Sequence, residues 1–216
     1  MKKFKAVIFD MDGVLVDTEH YYMKQREAFF GGQGISISHL KNADFIGRNL
    51  KEMWPEILLG DYEEDKAMAL QKAYEIKKHA TPLPYEELLF PDVKPLLDYL
   101  KANHIKMAIA SSSSMQDIET CIEKHDLAHY FSALYSGRNF AASKPNPAIY
   151  KAAIKGFGLL PEETLIIEDS QNGIAAGKDA GATVYAIADE RFGMNQVRAD
   201  KRMPNLTAVL AQLKSE

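Results

Sequence analysis

The chain has little cysteine, and this shortage excludes whole classes of protein. Its single cysteine, Cys121, can form neither an intrachain disulfide nor a cysteine cage for zinc. Cys121 recurs with Ile118 and Ile122 at helical spacing, so we expect it to pack inside a core rather than to act as a nucleophile. The sequence therefore argues against a disulfide-stabilised fold and against cysteine chemistry.

Long apolar runs are also missing. The longest ones, such as residues 6–9, fall far short of the ~20 residues that a membrane helix needs. The opening Met1-Lys2-Lys3 leads into Asp10 rather than into a long apolar signal segment. We therefore expect a cytoplasmic protein that does not bind membranes.

Neither sign of charge dominates the chain. The 26 Lys and Arg residues against 30 Asp and Glu residues give a net charge of −4, without a strongly basic or acidic tail. A nucleic-acid binder carries a clustered basic footprint, so we expect no nucleic-acid partner. The length of 216 residues fits one large domain, or a core domain that carries a smaller one.

From about Leu89 onward, short apolar runs alternate with amphipathic helical patterns. This order is typical of a parallel sheet covered by helices on both faces, so we predict an α/β, Rossmann-like core of about five strands. The polar stretch from Arg191 to Arg202 is interpreted as a loop without a ligand. The predicted strands are Lys5–Phe9, Lys106–Ala110, Ala133–Tyr135, Thr164–Ile167 and Ala182–Ile187.

Residues 18–84 interrupt this alternation. They carry helical patterns over 18–30, 43–59 and 63–79 but no convincing strand, and we expect Trp54 to pack among these helices. Pro82 and Pro84 mark the end of the segment, because each proline disfavours helix at the residue before it. We predict an all-helical cap over 18–84, inserted into a core formed by 1–17 and 85–216.

Polar residues follow several of the predicted strands, at the edge where open α/β sheets bind ligands. Asp10-Met-Asp-Gly13 follows the first strand, Ser111–Ser114 the second and Glu168-Asp169 the fourth, while Lys144 precedes a helix. Taken singly, these segments could be a turn, a helix cap, an acidic first turn and a surface loop. Together they combine the groups that bind phosphate and metal, which favours a functional site.

The chemistry that fits this set is phosphoryl transfer through an aspartyl phosphate. A carboxylate that attacks phosphate brings two anions together, so a hard cation with oxygen ligands is needed. Asp10, a backbone carbonyl near Asp12, and the pair Glu168 and Asp169 could supply a Mg²⁺ site. Serine hydroxyls and backbone N–H groups at a helix start can hold phosphate oxygens, and Lys144 adds positive charge.

Four segments of the chain resemble the four motifs of the haloacid dehalogenase superfamily, in the expected order. They are Phe9-Asp-Met-Asp-Gly-Val-Leu-Val-Asp-Thr18, the serine after the second strand, Ser143-Lys144-Pro145 and Ile167-Glu-Asp-Ser-Gln-Asn-Gly173. The resemblance is closest to the branch of sugar-phosphate phosphatases and β-phosphoglucomutases. The helical insert falls where that branch carries its cap.

The resemblance implies a role for each matching residue. Asp10 would be the nucleophile that becomes phosphorylated, and Asp12 would protonate the leaving oxygen and then deprotonate the incoming nucleophile. Lys144 would bridge the phosphate and Asp10. The other implied assignments are Ser111 and the N–H of Ser112 for the phosphate, and Asp10, Asp12 by its backbone carbonyl, Glu168 and Asp169 for Mg²⁺.

The match to the mutases is weaker in the cap. Gly47 resembles the cap-loop glycine that faces the active site, but the mutases carry an arginine three residues later, where this chain has Leu50. Arg48 directly follows the glycine and is a candidate phosphate ligand, with a solvated or packing arginine as the equal alternative. Glu19 and His20 lie near the expected hinge, and we interpret both as an exposed helix start.

We therefore predict a Mg²⁺-dependent phosphatase that acts on a small phosphomonoester such as a sugar phosphate. The alternative is a β-phosphoglucomutase that converts β-glucose 1-phosphate to glucose 6-phosphate. A phospho-receiver signalling module is a distant alternative, since its acceptor aspartate follows the third strand, where this chain has Ser136-Gly-Arg138. The expected partner is a small phosphorylated metabolite, and the expected state is a monomer.

Overall fold

Six parallel strands form a single sheet in the computed structural model, which describes residues 4–215. In chain order they are β1 (Ala6–Phe9), β2 (Lys106–Ser111), β3 (Ala133–Ser136), β4 (Thr164–Glu168), β5 (Thr183–Ile187) and β6 (Lys201–Met203). Their order in the sheet is β3-β2-β1-β4-β5-β6. Because β1 pairs in parallel with both β2 and β4, the carboxyl ends of these three strands lie side by side.

Helices cover both faces of the sheet, as predicted. Val7 and Phe9 of β1 pack into one apolar cluster, and Ala6 and Ile8 pack into the other, which is the alternation expected of a strand buried on both faces. The first cluster includes residues of α5 (Val93–Ala102), α6 (Met115–Lys124) and α9 (Leu206–Ser215), and the second includes residues of α7 (Ala148–Phe157) and α8 (Gln171–Asp179). Among residues 4–215, no helix is long and apolar enough to cross a membrane.

The sixth strand corrects the prediction of about five strands. β6 begins inside the stretch that was interpreted as a polar loop, and of its three residues only Met203 is buried. It lies at the end of the sheet and pairs with β5, where Ala186 faces Arg202. An edge strand has one neighbour and tolerates charged side chains, so it needs no apolar run that a sequence pattern could reveal.

Four helices lie between β1 and the helix that precedes β2. They are α1 (Glu19–Gly32), α2 (Asn42–Phe45), α3 (Trp54–Leu58) and α4 (Glu64–Ala80). Residues 18–84, all within the part of the chain that the structure describes, contain no strand, and their side chains form a separate apolar cluster that includes Trp54. The helix predicted over 43–59 is broken, because Gly47 adopts a φ of +73° and a 3₁₀ turn covers Leu50–Glu52.

The two segments that connect this insert to the sheet lie against each other. Val16 forms an antiparallel bridge with Leu89. The N–H of Asp17 donates to the carbonyl of Leu88 at 2.8 Å, and the N–H of Phe90 donates to the carbonyl of Leu15 at 3.0 Å. The chain therefore leaves the sheet and returns to it at one hydrogen-bonded place.

Candidate active site

Lys144 joins three neighbouring strand ends. Its Nζ donates to Asp10 Oδ1 at 2.8 Å, to the carbonyl of Ala110 at 3.0 Å and to Glu168 Oε1 at 2.7 Å. Asp10 directly follows β1, Ala110 belongs to β2, and Glu168 ends β4. All three of the charged side chains are buried, so the ammonium group is shielded from water and acts at close range on both carboxylates.

Burial and charge set the protonation of this group. Burial raises the pKa of Asp10 well above its usual range, while the ammonium of Lys144 opposes that rise. Burial alone would lower the pKa of Lys144, but the carboxylates of Asp10 and Glu168 outweigh it and the pKa is raised. Lys144 therefore remains a fixed cation at this edge of the sheet.

Asp10, Glu168 and Asp169 form a buried acidic cluster. One carboxylate oxygen from each lies within 4.8 Å of the others. Both oxygens of Asp169 are buried, and neither has a hydrogen-bond partner among the described residues. Burial raises the pKa of Asp169, and repulsion from Glu168 and Asp10 raises it further. Unpaired buried carboxylates are costly, and a hard divalent cation relieves that cost, so the cluster can hold such an ion.

The carboxylate of Glu168 is held in one position from several sides. Besides Lys144, its Oε1 accepts a hydrogen bond from the hydroxyl of Tyr150 at 2.5 Å. Its Oε2 accepts from the N–H and the hydroxyl of Ser170, at 3.2 and 3.1 Å. A Cβ at position 173 would lie 1.8 Å from Glu168 Oε1, so any larger residue there would displace the Glu168 carboxylate. This close approach to Glu168 is a physical reason for Gly173, the glycine that ends the fourth sequence motif.

Hydroxyl groups surround the carboxylate of Asp12. Oδ1 accepts from Thr18 at 2.6 Å, and Oδ2 accepts from Ser113 at 2.7 Å. Burial raises the pKa of Asp12, and the hydrogen bonds from Thr18 and Ser113 oppose the rise. The sequence analysis proposed Ser111 and Ser112 as functional serines but missed Ser113. Nothing in a run of four serines shows which side chain faces Asp12.

The serine loop after β2 also contacts the insert. The hydroxyl of Ser112 donates to the carbonyl of Gly47 at 3.1 Å, and Ser111 Oγ accepts from the N–H of Ser113 at 3.0 Å. Ser114 caps α6 by accepting from the N–H of Asp117 at 3.2 Å. The loop thus brings hydroxyls and a helix start to the same edge as Asp10, which is the arrangement that binds phosphate.

A cleft of about 740 Å³, including its open mouth, lies between this edge and the insert. Asp10, Asp12, Ser112, Gly47 and Arg48 all line it, so the structure brings these predicted core and cap residues together. The other predicted core residues, Ser111, Lys144, Glu168 and Asp169, are buried behind its wall. Its other lining residues include Glu19, Tyr22, Arg26, Phe45, Tyr74, Glu75, Lys78, Ser113 and Arg138.

The structure places Arg48 in an ion pair. Its Nη1 and Nη2 donate to the two carboxylate oxygens of Glu56, at 2.9 and 2.5 Å. Both planar groups belong to the insert, and the pair is bidentate, which is the strong geometry for arginine and carboxylate. The guanidinium of Arg48 is therefore already engaged at the wall of the cleft.

The expectation of an exposed Glu19 is wrong. Only 5% of Glu19 is exposed, the residue lines the cleft, and its buried Oε2 has no hydrogen-bond partner in the part of the chain that the structure describes. Burial raises its pKa to about 7, against the opposing charge of Arg26. His20 is exposed, as expected. Helix α1 thus begins with a buried residue that lines the cleft, Glu19, and continues with an exposed one, His20.

Several known proteins with related sequences are named phosphatases. A phosphorylated carbohydrates phosphatase of Thermotoga maritima is 30% identical over 187 residues, which cover 85% of each chain. A phosphoglycolate phosphatase of Aliivibrio fischeri is 26% identical over 197 residues, which cover 88% of this chain and 86% of that protein. The crystal structure of a β-phosphoglucomutase from Clostridium difficile shares the fold with a TM-score of 0.82 and 20% identity, over 98% of both chains.

The two relatives place the chain among phosphatase-type enzymes, and the likeness to the β-phosphoglucomutase shows a shared fold. The family described as haloacid dehalogenase-like hydrolase matches residues 7–187. The chain belongs to this family, and the resemblance inferred from its four motifs is confirmed.

Proposed function

We propose that the protein is a Mg²⁺-dependent phosphatase that hydrolyses a small phosphomonoester through a phosphorylated Asp10. The observation that carries the proposal is the buried Asp10 carboxylate, which contacts the Lys144 ammonium at 2.8 Å beside the two unpartnered oxygens of Asp169. A nucleophilic carboxylate needs nearby positive charge to approach a phosphate dianion. The site offers one fixed cation and an acidic cluster suited to a second.

The acidic cluster fits a magnesium ion by its donor chemistry. Asp10, Glu168 and Asp169, with the backbone carbonyl of Asp12, would hold it through oxygen atoms, which are the ligands that Mg²⁺ prefers. When bound, the ion supplies the positive charge that offsets the approach of carboxylate and phosphate. The two unpartnered oxygens of Asp169 support this assignment because a bound cation would give them a partner.

The side chains divide the reaction into two steps. A carboxylate oxygen of Asp10 forms a bond to phosphorus while the ester P–O bond breaks, and Asp12 donates its proton to the departing oxygen. A water molecule then attacks phosphorus, Asp12 takes its proton, and the bond to Asp10 breaks. Ser111 Oγ and the N–H of Ser112 would hold the phosphate oxygens, and Lys144 would offset their growing charge.

Hydrolysis is favoured over the mutase reaction by the state of Arg48. A mutase must bind a second phosphate in the cleft, and the guanidinium next to Gly47 is occupied by Glu56. The Thermotoga relative is named for phosphorylated carbohydrates, which supports a sugar phosphate as substrate. We further propose that residues 18–84 act as a cap over a core of residues 1–17 and 85–216, and that the protein works as a cytoplasmic monomer.

The test is release of inorganic phosphate from 4-nitrophenyl phosphate. We expect turnover with added Mg²⁺, a loss of at least about 10³-fold in kcat for Asp10→Asn, and a loss of turnover when EDTA removes the metal. Asn has the size of Asp, so an unchanged circular dichroism spectrum serves as the folding control. Robust turnover by Asp10→Asn, or by the metal-free enzyme, would contradict the mechanism.

The same preparation distinguishes hydrolysis from isomerisation. β-Glucose 1-phosphate is incubated with a trace of glucose 1,6-bisphosphate, and glucose 6-phosphate and inorganic phosphate are measured together. Release of phosphate without glucose 6-phosphate agrees with the proposal. Fast formation of glucose 6-phosphate would replace the phosphatase assignment by the mutase.

A further inference from the structure

An ion pair crosses the cleft between the sheet and the insert. Arg138 follows β3, and Glu75 lies on α4, with Nη1 and Oε2 separated by 3.1 Å. Both residues line the cleft together with Asp10 and Ser112. About a third of the Arg138 side chain and a quarter of the Glu75 side chain remain exposed, so a molecule in the cleft can reach both groups.

Glu75 is held in place from inside the insert. Its second oxygen, Oε1, accepts a hydrogen bond from Gln71 Nε2 at 2.7 Å. Gln71 Oε1 in turn accepts from the indole N–H of Trp54 at 2.9 Å, and Trp54 is only 2% exposed. The carboxylate therefore faces Arg138 because a buried side chain two contacts away orients it.

Arg138 is held close to the serine loop. A Cβ at Gly137 would lie 3.2 Å from the Cα of Ser112, so this turn packs directly against the loop. The hydroxyl of Ser136 also donates to the carbonyl of Ser113 at 2.7 Å. The guanidinium of Arg138 thus belongs to the wall that adjoins the proposed phosphate position.

The other cations of the cleft have partners as well. Lys78 Nζ lies 2.8 Å from Asp117 Oδ2, and Arg48 is engaged by Glu56. Arg26 is buried and donates to Asn42 Oδ1 at 2.5 Å. Lys78 and Arg48 are therefore each paired with a carboxylate, as Arg138 is, while Arg26 is hydrogen-bonded to a neutral amide and is only 8% exposed.

We propose that the Glu75–Arg138 pair is a specificity determinant that selects phosphomonoesters whose remaining part is uncharged and rich in hydroxyl groups. The inference rests on the phosphatase function proposed above. Hydroxyl groups can donate to Glu75 and accept from Arg138 without separating the two charges. A second phosphate or a carboxylate must displace the preset carboxylate of Glu75 from Arg138, or lie against it as a like charge.

The test removes the charge of Glu75 and keeps its shape. Glu75→Gln leaves Arg138 without its counter-ion, so inhibitors with a second anion should gain affinity relative to those without one. The assay measures inhibition constants against 4-nitrophenyl phosphate for two pairs: fructose 6-phosphate with fructose 1,6-bisphosphate, and glycerol 3-phosphate with 3-phosphoglycerate. We expect the ratio within each pair to shift by about two- to fivefold towards the doubly anionic member, the size of effect that one ion pair has at a partly exposed site.

Two further variants separate specificity from a merely structural contact. Arg138→Gln leaves Glu75 as an unbalanced anion and should shift the ratios in the opposite direction. The double variant Glu75→Gln/Arg138→Gln should restore ratios near those of the wild type, and Glu64→Gln, at an exposed position in the first turn of α4, should leave them unchanged. Loss of a simple structural contact would weaken both members of a pair equally.

Ratios that do not move in Glu75→Gln or Arg138→Gln, including the case in which no member inhibits, would overturn the specificity role while the phosphatase function stands. If the wild-type enzyme does not hydrolyse 4-nitrophenyl phosphate, the phosphatase function fails, and the specificity role falls with it.

Discussion

A single buried carboxyl group, Glu19, links the cleft to the pH dependence of stability. Its folded-state pKa is raised by burial from 4.5 to about 7. Between these values the unfolded chain releases the proton first, so rising pH favours unfolding until the folded group also ionises. The contribution of Glu19 to stability is therefore complete below pH 4.5 and is lost as the pH rises through 7.

The variant Glu19→Gln should remove this contribution. We expect the difference in free energy of unfolding between Glu19→Gln and the wild type to change by up to about 3 kcal/mol in favour of the variant between pH 4.5 and pH 8. Urea denaturation at a series of pH values measures it, and the comparison cancels the other carboxyl groups. A difference that stays constant with pH would show that Glu19 ionises normally in the folded protein.

The residues that approach the reacting groups could be predicted only in part. Asp10 and Asp169 were found because strand ends in a parallel sheet converge, and Lys144, which precedes a helix, was found by its charge and by the motif Ser143-Lys144-Pro145. Tyr150 and Ser113 were missed because each acts through one hydrogen bond, to Glu168 and to Asp12 respectively, from a segment distant in sequence. Such contacts depend on how helices and loops pack, and no local spacing in the sequence predicts them.

At the scale of elements, two helical glycines have opposite meanings. Gly173 lies in the first turn of α8, where a Cβ would overlap the Glu168 carboxylate at 1.8 Å. Gly31 lies in the last turn of α1. A Cβ added there would have open space around it, with no contact within 4 Å among the described residues outside its own helical backbone and chain neighbours. Helix propensity alone favours alanine over glycine at both positions.

We therefore expect opposite results from the same substitution. Gly31→Ala should raise the free energy of unfolding by about 0.5–1 kcal/mol. Gly173→Ala should lower it by about 1–3 kcal/mol, since Glu168 must move, and should reduce phosphatase activity. Chemical denaturation of both variants gives the comparison. A Gly173→Ala protein as stable as Gly31→Ala would mean that Glu168 has room to move without cost.

The elements themselves were predictable where a periodic pattern spans a whole strand or helix. β1, β2, β4 and β5 were found within a residue at each end, since buried parallel strands read as apolar runs. β6 and the break near Gly47 were missed. The former is a charged edge strand, and the latter depends on a left-handed backbone at one glycine, which helical periodicity does not detect.

Across the whole molecule, metal binding should be coupled to folding. Asp10, Glu168 and Asp169 repel one another only in the folded state, where they lie within 4.8 Å. A cation that binds this state and not the unfolded chain adds about 2.7 kcal/mol of stability at a concentration of 100 times its Kd. The stability of the fold and the affinity for the metal therefore both depend on this cluster of three carboxyl groups.

The prediction is an increase of Tm with added MgCl₂ that exceeds the effect of KCl at the same ionic strength. Asp169→Asn should raise the Tm of the metal-free protein, because one buried charge is removed, and should reduce the gain from Mg²⁺. Thermal unfolding followed by circular dichroism measures both changes. An equal gain from Mg²⁺ in the wild type and in Asp169→Asn would place the ion elsewhere.

The antiparallel bridge between Val16 and Leu89 has a consequence for how related sequences can diverge. The two ends of the insert are hydrogen-bonded to each other beside the sheet. The distance between these ends is therefore the same whatever the length of the segment between them. Residues 18–84 can therefore lengthen, shorten or be exchanged for another helical unit while the strands and Lys144 keep their positions. Under the proposed division into cap and core, changes within residues 18–84 would alter the choice of substrate and leave the strand-end chemistry in place.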